Sequence, residues 1–321
     1  MPGFGTDAVR GDPNIVLRGI KAAFLQSLGV AAGMVQYPKY CQIVPSRAAS
    51  EKYVFAGAFP KPRKWVDERQ GAGGLVTFSY EITNERYEVT VEIDGDRLAD
   101  DQVGIVLPWM QEAGMSIMLF RDEMFNTLRE AGKSTACFDG QYFHYASHQM
   151  EAETAQSNYV SAGSFDVTVD GQRKLFHDAM MRLKKMTDSK GRPGVVNSGS
   201  LPGLTVTIPA DATLYELWQR VLFGKLIADG GGFQPVAVDN QVKGLANLAV
   251  DPSLTDTNDL YIEVLGMPMK PYIFQEREKA TVTILGTNSE HYVKTGNVLL
   301  TARERYAFGY GYWPRSLRYY R

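Results

Sequence analysis

The sequence predicts an α+β fold, and three patterns support that class. A single amphipathic helix pattern begins at Val106 and continues for about 25 residues. Strand-like alternation of apolar and polar residues precedes it between 76 and 93, and short apolar runs typical of buried strands follow it from 204 onward. Helices and strands therefore do not alternate regularly as they do in a parallel α/β sheet.

The composition indicates a folded chain without a strong overall charge. The 321 residues suffice for one large irregular domain or two to three small ones, since domains usually hold roughly 100 to 200 residues. Hydrophobic residues make up 44% of the chain and charged residues 22%, far from the composition of disordered proteins. Lysine and arginine number 34 against 36 aspartates and glutamates, so any contact with DNA is expected to be local and weak.

The two cysteines, Cys41 and Cys137, lack the CxxC spacing of a structural zinc site. We expect both to be reduced, buried thiols. No stretch approaches the roughly 18 apolar residues of a membrane span, and the N-terminus lacks the pattern of a signal peptide. We therefore expect a protein that is made in a cytoplasm-like setting and binds no membrane.

The first 47 residues indicate an N-terminal arm that carries one helix. Apolar residues recur at helical spacing from Ile15 to Leu28, and Gly29 is the expected end of the helix. Pro60 and Pro62 then predict an exposed, irregular loop.

Two strand patterns follow that loop. Apolar and polar side chains alternate over 76–82, a TNER turn comes next, and residues 87–93 continue with the same period. We predict a long two-stranded excursion over 50–93. Because an isolated two-stranded ribbon is only marginally stable, it needs a surface to lie upon, and a neighbouring subunit is a candidate.

The clearest helix pattern comes next in the chain. Its apolar residues are three or four positions apart and form one stripe: Val106, Met110, Ala113, Ile117, Phe120, Met124 and Leu128. Pro108 fits the first turn and Gly132 fits the C-terminal end. At about 1.5 Å per residue the helix spans about 40 Å, the length of a supporting strut.

Further helices and strands are predicted after residue 170. An amphipathic helix is expected at 171–187, a buried strand at 204–209 and another helix at 212–224. Strand-like runs recur at ANLAV, LYIEVL, YIFQE and ATVTIL. Between 306 and 312 tyrosine or phenylalanine alternates with alanine or glycine, which predicts a strand with one aromatic and one nearly bare face.

Four stretches carry a recognisable family pattern. They are FPKPRKWVDERQ with the later YEVTVEIDGDRLADDQVGI, then GKSTACFDGQYFHYASH, then MRLKKMTDSKGRPGVVNSGSLPGLTVTIPADA, and last LYIEVLGMPMKPYIFQEREK. In this order, over most of 50–285, they resemble the major head subunit of Mu-like phages, a branch of the Hong Kong 97 (HK97) capsid proteins. The second stretch departs from the family pattern, since it lacks an Asp before His148 and a Pro after it.

The resemblance implies an HK97-like capsid fold. Its parts would be an N-terminal arm at 1–47, an extended β-hairpin loop at 48–93, a peripheral domain at 94–163 and 266–321 with the long spine helix, and an axial domain at 164–265.

The resemblance also implies a structural role in the virion. Such a subunit would self-assemble in the host cytoplasm into hexamers and pentamers of an icosahedral head that encloses double-stranded DNA. A scaffold protein, a portal and a decoration protein are the implied partners. An encapsulin-like shell that holds cargo enzymes is the alternative within the same fold.

Two oppositely charged runs are our candidates for contact between subunits. The basic run consists of Lys61, Arg63, Lys64, Trp65 and Arg69, and the acidic run of Glu92, Asp94, Asp96, Asp100 and Asp101. An exposed ion pair contributes only about 0 to 1 kcal/mol, but in a shell each contact recurs at every subunit. We expect the basic run of one subunit to lie over the acidic run of its neighbour.

Cys137, His144 and His148 are close enough in sequence to suggest a thiol hydrolase or, through the HxxxH spacing, a zinc site. The pattern identifies no third group to orient a base, and Tyr145 stands where HExxH has its glutamate. We therefore predict a packing role and no catalytic, cofactor or metal site.

Arginines are frequent near the C-terminus, where Glu304 is the nearby acidic residue. They are Arg303, Arg305, Arg315, Arg318 and Arg321. A DNA-facing role is one interpretation, and a sheet edge with solvated arginines is the favoured one.

Overall fold

The computed structural model describes residues 13–58, 64 and 65, 77–99, 104–150, 155–161, 167–194, 196–229 and 236–320. The helices are α1 (Pro13–Ala31), α2 (Tyr37–Tyr40), α3 (Gly95–Ala99), α4 (Val106–Ala131), α5 (Val169–Lys185), α6 (Ala212–Phe223) and α7 (Glu290–Thr295). The first strands are β1 (Cys41–Pro45), β2 (Ser50–Ala56), β3 (Thr77–Thr83), β4 (Glu85–Asp94), β5 (Tyr159–Ser161), β6 (Leu204–Pro209) and β7 (Leu226–Asp229). The others are β8 (Val236–Asp239), β9 (Asn247–Asp251), β10 (Asp259–Val264), β11 (Tyr272–Leu285), β12 (Asn297–Tyr310) and β13 (Ser316–Tyr320). None of these described helices has the length and apolar character needed to cross a membrane.

One sheet has four strands in the order β1-β11-β12-β4. β11 and β12 each have 14 residues and pair antiparallel, so the predicted runs YIFQE and ATVTIL belong to a single strand. β1 is parallel to β11 on one side, and β4 is antiparallel to β12 on the other. β4 is therefore an edge strand of this sheet.

The second sheet has five strands in the order β5-β13-β10-β6-β9 and contains the most deeply buried strands. Every residue of β6 and β10 is buried. This explains the LTVTIP and LYIEV patterns, since a strand covered on both faces needs no polar alternation. Two small sheets, β2 with β3 and β7 with β8, complete the set of described sheets.

The helix predictions after residue 170 are confirmed with small changes at their ends. α5 begins after Thr168, whose hydroxyl accepts a hydrogen bond from Gly171 N, and α6 begins after Asp211, whose carboxylate accepts from Leu214 N. α1 passes the expected end at Gly29 and continues to Ala31. The structure also confirms that both cysteines are buried free thiols.

The predicted pairing of the excursion is wrong. β3 pairs antiparallel with β2, whereas β4 leaves the ribbon and joins β12 in the four-stranded sheet. Alternation of apolar residues indicates a strand but not its partner, and the TNER turn was taken for a hairpin. Residues 59–63 and 66–76, which include Pro60 and Pro62, lie outside the described residues.

The described part of the ribbon lies on its own subunit. A Cβ at Gly309 of β12 would come within 2.3 Å of Ile82 Cδ1, so the bare face of β12 is where β3 approaches. Tyr53 donates a hydrogen bond to Gln275 at 2.7 Å, and the rings of Phe55 and Phe138 stack at 4.6 Å. The surface that the ribbon needs is thus supplied in part by β11 and β12.

The strut helix is confirmed as α4, but its buried face differs from the predicted stripe. The buried residues are Met110, Gly114, Met118, Arg121, Phe125, Asn126 and Arg129. Of the predicted stripe only Met110 is buried, and Phe120 is 38% exposed. The pattern pointed to the neighbouring face because two buried arginines, one asparagine and one glycine do not count as apolar.

The division into arm, extended loop, peripheral domain and axial domain stays a prediction. The five-stranded sheet takes β5 and β13 from the predicted peripheral domain and β6, β9 and β10 from the predicted axial domain. One hydrophobic core cluster includes residues from both parts.

Candidate subunit interface

The basic run is described at two of its positions. Lys64 and Trp65 are both exposed, Trp65 to 65% of its surface. Lys61, Arg63 and Arg69 lie outside the described residues. A large exposed aromatic side chain beside basic residues is a composition typical of interface centres.

The described residues of the acidic run lie at the free edge of the four-stranded sheet. Glu92 and Asp94 are in β4 and Asp96 is in α3, and all three are exposed. Asp100 and Asp101 lie outside the described residues.

Two of these carboxylates already have partners within the subunit. Glu92 accepts a hydrogen bond from Asn297 Nδ2 at 2.9 Å and contacts His291 Nε2 at 3.1 Å. The bonds from Asn297 and then His291 lower the pKa of Glu92. Asp94 Oδ1 accepts from the backbone N–H of Asp96 and Arg97 and so caps α3. Glu92 and Asp94 are exposed, but they also stabilise the local structure of their own subunit.

Exposed apolar side chains on α4 add to these candidates, and the sequence pattern did not predict their exposure. They are Leu107, Trp109, Leu119 and Phe120. Phe120 and Ile117 also line a pocket of about 390 Å³ between α4 and the four-stranded sheet, with Glu88, Glu123 and Arg303 at its polar wall. Exposed apolar patches rimmed by charge commonly mark protein interaction sites.

Two arginines of the C-terminal region are buried, contrary to both interpretations. Arg318 is fully buried and donates from Nε to Asp259 Oδ1 at 2.8 Å. Arg315 is also buried and donates to the backbone carbonyl of Val196 at 3.3 Å. A buried charge needs such partners, so neither side chain faces solvent or DNA.

The other C-terminal arginines are at the surface or outside the described residues. Arg303 and Arg305 lie 3.6 and 3.1 Å from the carboxylate of Glu278, and Arg303 is about half exposed. Arg321 lies outside the described residues.

A buried polar network joins α4 to the five-stranded sheet, and it too was missed. Arg129, fully buried, pairs with Glu263 of β10. Glu263 accepts from Ser316 Oγ at 3.0 Å, and Ser316 Oγ lies 3.0 Å from His144 Nε2. Since the hydroxyl hydrogen of Ser316 points to Glu263, Nε2 of His144 is the donor to Ser316.

His144 is held neutral by this position. Burial, followed by the nearby charges of Arg318 and Arg129, brings the pKa of His144 well below its usual value. The low pKa keeps the imidazole of His144 uncharged beside the two arginines.

The three residues considered for chemistry separate into two groups. The HxxxH residues do not share a helix face, because 132–150 is irregular, and His144 contacts Ser316. His148 Nδ1 instead lies 2.6 Å from Asp139 Oδ2, and Cys137 Sγ lies 3.2 Å from Asp139 Oδ1. Asp139 is the third group that sequence reasoning did not find.

Cys137 is poorly suited to nucleophilic attack. It is 5% exposed, and burial, followed by the charge of Asp139, raises the pKa of its thiol. Its hydrogen-bond partner is a carboxylate, not the histidine base that a thiol hydrolase requires.

Comparison with known proteins identifies the family. The family described as "Mu-like prophage major head subunit gpT" matches residues 14–193. The chain belongs to this family. The match covers α1 to α5, and so includes the β2–β3 ribbon, the acidic run and the whole of α4.

Two phage relatives in this family are similar in sequence. The Mu-like prophage FluMu major head subunit of Haemophilus influenzae is 31% identical over 136 residues, which is 42% of this chain and 44% of the relative. The major capsid protein of Escherichia phage Mu is 35% identical over 115 residues, 36% of this chain and 37% of the relative. Each match thus spans less than half the length of the relative.

Solved structures of a phage procapsid and of a virus-like particle share the fold of this chain. A chain of the procapsid of bacteriophage JBD30 aligns with a TM-score of 0.55 and 20% identity over 97% of this chain and 76% of that chain. A chain of the virus-like particle from Pyrococcus furiosus aligns with a TM-score of 0.54 and 11% identity over 94% and 98%. The predicted HK97-like capsid fold is confirmed.

Proposed function

We propose that this chain is the major shell subunit of a Mu-like phage head. Many copies assemble into hexamers and pentamers of an icosahedral shell around double-stranded DNA, and the chain then resides in the virion. Membership of the Mu-like head-subunit family is the observation that carries this proposal. A scaffold protein, a portal and a decoration protein are the further partners we propose, with assembly in the host cytoplasm.

The surface of the subunit suits repeated contact. The apolar side chains on α4, the exposed Trp65 and the edge strand β4 each offer area that a second copy could cover. Contacts that are weak singly become sufficient when each subunit repeats them.

The test of this function is expression of the chain with its scaffold partner, followed by negative-stain microscopy. Closed shells of uniform size are expected. Nuclease-protected DNA in particles from a producing host would identify a phage head, and particles filled with protein cargo would identify an encapsulin-like compartment instead. A chain that remains monomeric under all these conditions contradicts the proposal.

We further propose that the basic run of one subunit lies over the acidic run of its neighbour. Lys64 and Asp96 are exposed and of opposite charge, which supports this contact. The double variant Lys64→Glu with Arg69→Glu should prevent stable shells, because it places like charges together at every copy of this contact.

A control with the same change in charge separates contact from general repulsion. Lys185→Glu with Lys190→Glu reverses two exposed lysines elsewhere on the subunit. The control should form shells. Normal shells from the Lys64 and Arg69 double variant would refute the contact but leave the shell function standing.

A further inference from the structure

The segment 132–150 is irregular, and although about half of its residues are exposed, several of its side chains are buried. It contains no helix and no strand longer than an isolated bridge, although Phe143, His148 and Met150 are completely buried. Long irregular segments inside a domain are uncommon, and such a segment needs side-chain or metal contacts to hold its shape.

Three side chains of this segment converge on one point. The Sγ of Cys137, a carboxylate oxygen of Asp139 and a ring nitrogen of His148 all lie within 4.8 Å of one another. The side chain of His148 is fully buried and that of Asp139 is 1% exposed. Asp139 turns one oxygen toward Cys137 and the other toward His148.

Asn158 decides which nitrogen of His148 carries a hydrogen. Its Nδ2 donates to the carbonyl of Phe143 at 2.7 Å, and its Oδ1 accepts from Tyr145 N at 2.8 Å. The same Oδ1 lies 3.2 Å from His148 Nε2, so Nε2 must be the donor. In the neutral ring Nδ1 therefore carries a lone pair, and Nδ1 is the nitrogen that faces the carboxylate of Asp139.

Nδ1 and a carboxylate oxygen both present lone pairs, so this contact requires a positive charge. A proton on Nδ1 is one solution, and a metal ion held by both groups is the other. The nearby thiol of Cys137 favours the metal, because thiolate sulfur and imidazole nitrogen are the ligands of structural zinc sites and a carboxylate oxygen can also bind zinc. The bond from Nε2 to Asn158 is the outer hydrogen bond that zinc-bound histidines normally make.

We propose that Cys137, Asp139 and His148 bind a structural zinc ion, in place of the packing role without a metal that the sequence pattern predicted. On binding, the thiol of Cys137 releases its proton to solvent and a Zn–S bond forms. Nδ1 of His148 supplies a second bond, and Asp139 supplies one or both oxygens. Because the thiol must lose its proton to bind zinc, zinc affinity should increase with pH.

The site would fix the irregular segment against the C-terminal part of the chain. The ring of His148 stacks on Trp313 at 3.9 Å, and Trp313 begins the turn that leads into β13. A metal bond at Nδ1 would orient this ring and so support the buried strand β13 of the five-stranded sheet.

Metal analysis of the purified full chain tests the proposal directly. We expect one zinc per chain after extensive dialysis, and a Co²⁺-exchanged sample should show thiolate-to-cobalt charge-transfer absorption. Cys137→Ser should abolish this band. Cys41→Ser is the matched control, since Cys41 is also a buried free thiol but belongs to no such cluster.

A milder variant addresses loss of folding. Asp139→Asn keeps the shape of the residue and the acceptor for Gln141 N but removes the negative charge, so zinc affinity should fall by at least about tenfold. No zinc in the wild-type chain and no charge-transfer band with Co²⁺ would overturn the proposal and assign the charge to a proton. Metal content is measured on the purified chain whether or not it assembles, so this test can fail while the shell function stands.

Discussion

The two halves of α4 are held to the rest of the subunit by different kinds of contact. In the first half Met110 packs in an apolar cluster with Leu17, Ile20 and Phe24 of α1. In the second half Arg121 and Arg129 are buried and pair with Glu304 and Glu263 of two different sheets. One helix thus combines an apolar and an ionic attachment.

The two halves of α4 should be destabilised by different kinds of substitution. The apolar half depends on close approach, since a Cβ at Gly114 would lie 2.0 Å from Ser27 Oγ and 2.9 Å from the carbonyl oxygen of Phe24. Adding atoms is costly there. The ionic half depends on complete pairing, and removal of one partner leaves a buried charge. Substitutions in each half can test this difference.

Arg129→Ala should have the largest effect. It leaves the carboxylate of Glu263 buried without its guanidinium and also removes the contact of Arg129 with the rings of Tyr40 and Tyr261. We expect a loss of about 3 to 5 kcal/mol in the free energy of unfolding, measured by urea denaturation of the unassembled subunit.

Arg303→Ala is the control for this prediction. Its partner Glu278 is at the surface, so the expected loss is only about 0 to 1 kcal/mol. Equal losses in the two variants would show that burial does not distinguish these ion pairs.

Gly114→Ala should destabilise the apolar half despite the better helix propensity of alanine. Ser27 Oγ can rotate away, but the carbonyl of Phe24 is backbone, so α1 must shift from α4. Overpacking of this kind costs about 1 to 3 kcal/mol, against a propensity gain of about 1 kcal/mol. A more stable Gly114→Ala subunit would mean that the two helices are not in close contact.

The comparison also shows what the sequence could predict. Regular spacing identified α4, α5, α6 and the buried β6, because a helix or strand with one apolar face repeats at a fixed period. The same rule misplaced the buried face of α4, since Arg121 and Arg129 look solvent-exposed in a pattern. Their carboxylate partners are 134 or more residues away in sequence, beyond any local signal.

The candidate sites were predicted to a smaller extent. Opposite charge marked the basic and acidic runs, and exposure at Lys64, Trp65 and Asp96 is compatible with that prediction. The position of Asp139 between Cys137 and His148 could not be predicted, because 132–150 has no period from which directions of side chains follow.

Arg129 of the ionic half belongs to the buried polar network that also contains His144. This network should make the free energy of unfolding sensitive to acid. The folded pKa of His144 lies well below the unfolded value of about 6.5, so the neutral form is favoured in the fold. Its contribution is complete above about pH 6.5 and is lost as the pH falls toward the folded pKa. Melting temperatures measured from pH 8 down to pH 5 should therefore fall less steeply in His144→Gln than in the wild type.

His291→Gln is the control for the acid measurement. The side chain of His291 is 30% exposed and contacts the exposed Glu92, so this variant should keep the steep wild-type profile. An unchanged profile in His144→Gln would assign the acid sensitivity to other groups.

Gly19→Ala should have the smallest effect and the opposite sign. Gly19 is in α1, the helix that packs on the apolar half of α4, but a Cβ there would meet no atom within 4 Å. Only helix propensity changes, so we expect a gain of about 0.5 to 1 kcal/mol in the free energy of unfolding. Paired with Gly114→Ala, the same substitution then has opposite effects on two contacting helices, and the difference measures their close approach at Gly114. A loss of stability in Gly19→Ala would instead place this face of α1 against another part of the subunit.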